Sequence, residues 1–192
     1  MTKYIFHGGC VQPESISNNA FYAEFVKDVP GGGMVLLVYF ASRTDDVSAR
    51  IAYDIEQCQK FSIGKSIKFE VASLDNFMES AASADAIFFR GGSTEKLLNT
   101  LSQFPDLKSV FENKDKTVAG SSAGAYVLST LYSSHYEDKA EPGLGIVPVR
   151  VVTHYQSEKM PPMIGAVEAL KKAANNLPLI ILKEGDWEAV II

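Results

Sequence analysis

Apolar runs and helical patterns alternate along the whole chain. Tyr4-Ile5-Phe6 reads as a first strand. Phe21, Tyr22, Phe25, Val26 and Val29 recur at helical spacing, and Pro30 with Gly31-Gly32-Gly33 stops that helix. Residues 34–40 form a continuous apolar run, the pattern of a strand covered on both faces of a parallel sheet. Asp45 or Asp46 can cap a helix carrying Val47, Ile51, Ile55 and Cys58. A strand over 67–71, a helix over 74–78 and the strand Ala86-Ile87-Phe88-Phe89 follow. Gly91-Gly92 then turns the chain into a helix through Leu97, Leu98 and Leu101. Next come a strand entering at Thr117, a helix-forming run over 123–130, a Pro/Gly loop over 142–145 and a strand over 146–152. A helix over 164–174 and a strand over 179–182 complete the pattern.

Strict alternation of β and α elements predicts a mostly parallel, doubly wound sheet between helices. The expectation is one three-layer α/β domain spanning residues 1–192. In such sheets function sits at the carboxyl ends of the strands. His7-Gly8-Gly9, Arg90-Gly91-Gly92 and the turn after the Thr117 strand all fall there.

That last turn, Gly120-x-Ser122-x-Gly124, has the form of a serine nucleophile elbow: strand, sharp turn, helix. Glycine is needed on both sides, because a Cβ there would collide with the neighbouring strand or helix. The helix that follows points free N–H groups and its positive end at the serine, where an oxyanion would form. A glycine-rich strand-to-helix turn with no chemistry is the plain alternative, so the rest of the chain must decide.

A serine nucleophile needs a base, and the base an orienting acid. His154 follows the 146–152 strand, where a base is well placed; His7 ends the first strand; His135 stands among polar residues and reads as solvated. The acid could be Glu137, Asp138 or Glu141 before His154, or Glu184 after it. Glu184 is favoured because it directly follows the last buried strand. The Gly92 N–H, with that of Ala123, can form the oxyanion hole, each donor contributing typically ~2.7–4 kcal/mol. Ser93 or Thr94 can instead be read as the cap of the next helix. No phosphate-loop lysine and no G-x-G-x-x-G are present, which disfavours nucleotide binding.

Composition narrows the classes. The 192 residues are 46% hydrophobic and 21% charged, ordinary for a globular chain with a sizeable core. A net charge of −5 offers no basic stripe, so nucleic acid is not an expected partner. The longest clean apolar run, 34–41, is too short to span a bilayer, and the N-terminus reads as a strand rather than a signal peptide. Cys10 and Cys58 lack C-x-x-C spacing, which points to a reducing compartment without a disulfide or zinc framework. A cytoplasmic protein with no metal and no cofactor, monomeric or homodimeric, is the expectation.

Together the pieces resemble one family, the serine peptidases that include peptidase E and cyanophycinase, built on the class I glutamine-amidotransferase-like (flavodoxin-like) fold. The resemblance rests on 88–94 with Leu97-Leu98, on 119–125, on 143–148 leading to His154, and on Glu184-Gly185-Asp186-Trp187. It implies Ser122 as nucleophile, His154 as base and Glu184 as acid, with the Gly92 turn as the oxyanion segment. The implied reaction is hydrolysis of short peptides, dipeptidase-like, through an acyl-enzyme. Aspartate-specific members resemble one another in a substrate-binding arginine between the histidine and the final glutamate. No arginine follows Arg150 here; Lys159 or Arg90 could stand in, and Ser93 replaces the family's usual asparagine. The resemblance also implies that many relatives continue past the position of Ile192, so the family's final strands are expected to be missing. Two rivals remain. An α/β-hydrolase-type esterase would use Glu137, Asp138 or Glu141, and a catalytically silent member would serve as a binding protein. An amidotransferase needs cysteine where Ser122 stands.

Overall fold

The computed structural model describes residues 1–12, 15–112, 115–133, 138–158, 164–174 and 176–192. Five of the strands foreseen from apolar runs build most of a six-stranded sheet. These are β1 (Lys3–His7), β2 (Met34–Val38), β3 (Lys68–Val71), β4 (Ala86–Phe89) and β5 (Thr117–Ser121). They are parallel to one another, in the order β1-β5-β4-β2-β3. Helices α1 (Ile16–Val26), α2 (Ser48–Phe61), α3 (Phe77–Ser83), α4 (Thr94–Leu101) and α5 (Leu107–Glu112) connect them.

Side chains along these strands alternate between two cores. Val35, Leu37 and Phe88 pack with Phe21, Tyr22 and Phe25 of α1 on one face. Leu36, Val38 and Phe89 pack with Leu97, Phe111 and Tyr126 on the other. An unbroken apolar run is therefore what each central strand requires, since neither face meets water. The α/β sandwich expected from the sequence is the architecture found.

Four details differ from the sequence reading. The helix α6 (Ala123–Leu128) stops before Ser129, whose hydroxyl donates to the Tyr126 carbonyl at 2.8 Å. The next residues instead form β6 (Ser129–Tyr132), where β-branched Thr130 suits a strand. Strand β6 starts a second, four-stranded sheet with β7 (Glu141–Pro142), β8 (Val147–Val152) and β9 (Leu179–Ile181), in the order β7-β6-β8-β9. Helix α7 (Ile164–Lys172) packs on β8 and β9. Finally, Trp187–Ile191 forms β10, which pairs antiparallel with β1 and closes one edge of the large sheet. At α2 the cap also shifts: Val47 occupies the N-cap, and Asp46 accepts the Ser48 N–H at 2.9 Å.

Backbone hydrogen bonds tie the strand carboxyl ends together, within the large sheet and across to the small one. Ser122 N donates to His7 O at 2.9 Å, His154 N to Gly8 O at 3.0 Å, and Gly185 N to Gly9 O at 3.0 Å. These ties bring the segments after β1, β5, β8 and β9 into one cluster. No helix among the described residues is long and apolar enough to cross a membrane.

Candidate active site

Segments leaving β1, β2, β4, β5 and β8 line a cavity of about 350 Å³. At its floor, β5 runs into α6 through Ser122, which adopts φ 54° and ψ −113°. A non-glycine residue in this conformation carries strain of about 1–3 kcal/mol, which the surrounding packing must hold. The flanking glycines make the turn sterically feasible. A Cβ on Gly120 would lie 2.4 Å from the Gly124 carbonyl carbon, and one on Gly124 2.1 Å from the Phe89 oxygen. Strand, elbow and helix are thus wedged together in the way the G-x-S-x-G pattern demands.

Ser122 Oγ lies 2.9 Å from His154 Nε2, and His154 Nδ1 lies 3.1 Å from Glu184 Oε1. Ser157 Oγ donates to the same Glu184 oxygen at 2.7 Å. Burial alone would push the Glu184 carboxyl up. Hydrogen bonds from Ser157, His154 and Cys10 outweigh it and hold the group below its ordinary range. An ionised carboxylate at this place fixes the imidazole with its proton on Nδ1 and its lone pair on Nε2, facing the serine. His154 is nearly buried and, like Ser122 and Cys10, has a positive φ. An alcohol, an imidazole and a carboxylate in line have the geometry for proton abstraction from the alcohol.

The Gly91-Gly92 turn presses on the elbow: a Cβ on Gly91 would lie 2.9 Å from Ser122 Cβ. Neither the Gly92 nor the Ala123 N–H donates to another described residue. Ala123 follows the serine directly in sequence, and Gly92 lines the same cavity as Ser122. Ser93 lies elsewhere; its hydroxyl accepts the Lys96 N–H at 3.2 Å as the N-cap of α4. The capping reading of Ser93 describes its position, and it does not line the cavity.

Arg90 does line the cavity, from the end of β4. Its Nε donates to Asp54 Oδ2 at 2.7 Å, and the hydroxyls of Tyr22 and Tyr39 donate to the same carboxylate at 2.5 and 2.7 Å. Burial opposes the charge on Arg90, but buried Asp54 overrides it and raises the guanidinium pKa still further. The guanidinium is therefore a fixed cation. Its Nη2 is buried with no partner among the described residues.

His7 does not line the cavity. It is fully buried, with Nε2 3.0 Å from Asn18 Oδ1 and Nδ1 accepting the Gly9 N–H at 3.1 Å. Of the alternative acids, Glu141 pairs with Lys139 at 3.2 Å and Asp138 packs beside Gly165, whereas Glu184 meets His154. His135, Glu137 and Lys159 lie outside the described residues. Sequence reasoning passed over Arg43, Arg50 and Cys10, all of which line the cavity. The rule that function gathers at strand carboxyl ends could have flagged Arg43, which lies on the loop that leaves β2.

Comparisons with known proteins bear on the family and the fold. Residues 20–191 match the model of peptidase family S51. No curated protein matches the chain. Among solved structures, a peptidase from an acI-B1 Actinobacterium is similar at 24% identity with a TM-score of 0.65, covering 99% of this chain and 87% of the other. A putative peptidase E protein from Listeria monocytogenes EGD-e is similar at 15% identity with a TM-score of 0.66, covering 99% and 97%. At these identities the two structures speak for the fold, while the match over most of the chain speaks for the family. The chain belongs to peptidase family S51, the peptidase E-like hydrolases.

Proposed function

We propose that the protein is a serine-type peptidase that cleaves short peptides, dipeptides among them, through an acyl-enzyme on Ser122. The observation that carries this reading is the unbroken line from Ser122 Oγ through His154 to Glu184, at 2.9 and 3.1 Å, on a strained elbow.

His154 Nε2 takes the serine proton as Oγ attacks the peptide carbonyl. Glu184 holds the ring in the required tautomer and stabilises the imidazolium. The N–H groups of Gly92 and Ala123 receive the oxyanion. His154 then delivers its proton to the leaving amine, which departs and leaves the acyl-enzyme. Water, deprotonated by His154, releases the acid product and restores the serine.

Substrate selection falls to the cations around the cavity. Arg90 from β4, Arg50 from α2 and Arg43 from the loop after β2 line it together, in a protein whose net charge is −5. Such a concentration of positive charge favours a peptide that presents a carboxylate there. The volume of about 350 Å³ is at the small end for ligand sites and suits a dipeptide better than a long chain.

The test is a dipeptide library, including acidic and isoaspartyl members, assayed with the wild type and with Ser122→Ala. Turnover of acidic dipeptides by the wild type, lost by about 10⁶-fold in Ser122→Ala, is expected. A fluorophosphonate probe should label the wild type and not the variant. Turnover that survives Ser122→Ala, or an unlabelled wild type, would overturn the reading.

A further inference from the structure

We propose that Cys10, His154 and Glu184 form a zinc site that, when occupied, holds the serine–histidine pair inactive. The donor atoms of all three residues lie within 4.8 Å of one another. Around tetrahedral zinc, two ligands at about 2.0–2.1 Å sit roughly 3.3 Å apart. His154 Nδ1 and Glu184 Oε1 are already 3.1 Å apart, one edge of such a tetrahedron. The thiol of Cys10 supplies a third corner, and it is exposed, so a metal ion can reach it from solvent.

The three donors are held in place by backbone. Cys10 has φ 54°, and its carbonyl accepts the Asn18 side-chain N–H at 3.0 Å. Gly9, just before it, accepts the Gly185 N–H at 3.0 Å, beside Glu184. His154 N is tied to Gly8 O at 3.0 Å, and Tyr155 N to Leu182 O at 3.0 Å. The ends of β1, β8 and β9 are therefore cross-linked before any metal arrives, and the ordering cost of binding is already met by the fold.

The chemistry of the set selects the ion. A thiolate, an imidazole and a carboxylate suit zinc and disfavour magnesium or calcium, which take oxygen ligands. Charges balance: Zn²⁺ meets one thiolate and one carboxylate. The thiol releases one proton to solvent on binding, so affinity rises with pH. Zinc takes the Nδ1 lone pair, which requires the neutral ring to carry its proton on Nε2 instead. Nε2 then faces Ser122 as a donor and can no longer accept the serine proton. The binding claim stands on the donor geometry alone; the inhibition rests on the function proposed above.

Cobalt(II) and zinc chloride titrations of the purified protein, with no peptide present, test the binding. One equivalent of Co²⁺ should produce a thiolate-to-cobalt charge-transfer band in the near ultraviolet, which Zn²⁺ displaces and Mg²⁺ does not. Cys10→Ala and Cys10→Gly, the latter suited to the positive φ, should abolish the band and weaken calorimetric zinc affinity by more than about 100-fold. Residues merely behind a metal ligand typically change affinity by about 10–100-fold, so a ligand should exceed that range. Cys58→Ser, at the other cysteine, should leave the titration unchanged. A wild type without the band, or equal zinc affinity in Cys10→Ala, would overturn the site. Zinc that binds as expected but does not block fluorophosphonate labelling of Ser122 would overturn the inhibition and leave the serine chemistry standing.

Discussion

Gly9 packs so closely on His154 that a Cβ at residue 9 would lie 2.2 Å from Cε1 and 2.4 Å from Nε2 of the ring. The backbone there has φ 101°, a conformation that L side chains rarely adopt. Gly9→Ala must therefore displace the ring and strain the loop at once. A displacement of about 1 Å costs on the order of 10²-fold in rate, so kcat should fall at least that far. The thermal midpoint should also drop, reflecting about 1–2 kcal/mol of backbone strain. Unchanged kcat in a folded Gly9→Ala protein would mean that the ring position observed here is not the working one.

Glu184→Gln keeps the shape of the side chain and removes its charge. The amide can offer the ring an N–H in place of an acceptor, which favours the wrong tautomer of His154. The aspartate-to-asparagine change in a chymotrypsin-type triad costs about 10⁴ in kcat, and a loss of roughly 10²–10⁴ is expected here. Ser157→Ala removes only the hydroxyl that donates to Glu184 Oε1 at 2.7 Å, and should cost far less. Steady-state rates of the two variants on one dipeptide give the ranking, and a larger loss in Ser157→Ala would reverse the roles.

The architecture was legible in the sequence because burial left a simple mark. Residues such as Leu36, Leu37, Phe88 and Phe89 face two cores in turn, and an apolar residue is required at each. The elbow was legible for a similar reason, since Gly120 and Gly124 answer to contacts that no side chain could share. Strand β10 left a weaker mark. Its residues are half-buried or exposed at a sheet edge, so neither periodicity nor a closed apolar run is enforced. The break at Ser129 depends on pairing with β8, a partner distant in sequence. The arginines of the cavity were hidden for another reason. Arg43 and Arg50 stand on a loop and a helix, where arginine is ordinary, and only the fold gathers them beside Arg90.

Those arginines separate binding from stability. Arg43 is exposed and Arg50 half-buried, and neither takes part in an ion pair among the described residues. Arg43→Ala and Arg50→Ala should each raise KM for acidic dipeptides by about tenfold, the scale of one charge-assisted hydrogen bond. Neutral dipeptides and the thermal midpoint should hardly change. Arg90→Ala should behave differently, because it strands the fully buried Asp54. Breaking a buried pair from one side costs about 3–5 kcal/mol, visible as a large fall in unfolding midpoint. Equal stability in all three variants would show that the Arg90–Asp54 pair is not what anchors this wall.

His7 gives the protein a built-in sensitivity to acid. Burial, offset in part by the Asn18 hydrogen bond and reinforced by nearby Arg90 and His154, lowers its pKa from 6.5 to about 4. The unfolded chain thus takes up a proton at a pH where the folded one does not, and stability falls as pH drops from about 6.5 towards 4. Over that window the loss approaches about 3 kcal/mol. Urea unfolding of the wild type at pH 7, 6, 5 and 4 should show this decline, and His7→Gln should flatten it. Parallel slopes would mean that His7 titrates normally in the folded state. The same proton has a local consequence, since His7 Nδ1 accepts the Gly9 N–H at 3.1 Å and a protonated ring cannot. Acid therefore releases the residue that fits against His154, and activity should decline before the protein unfolds.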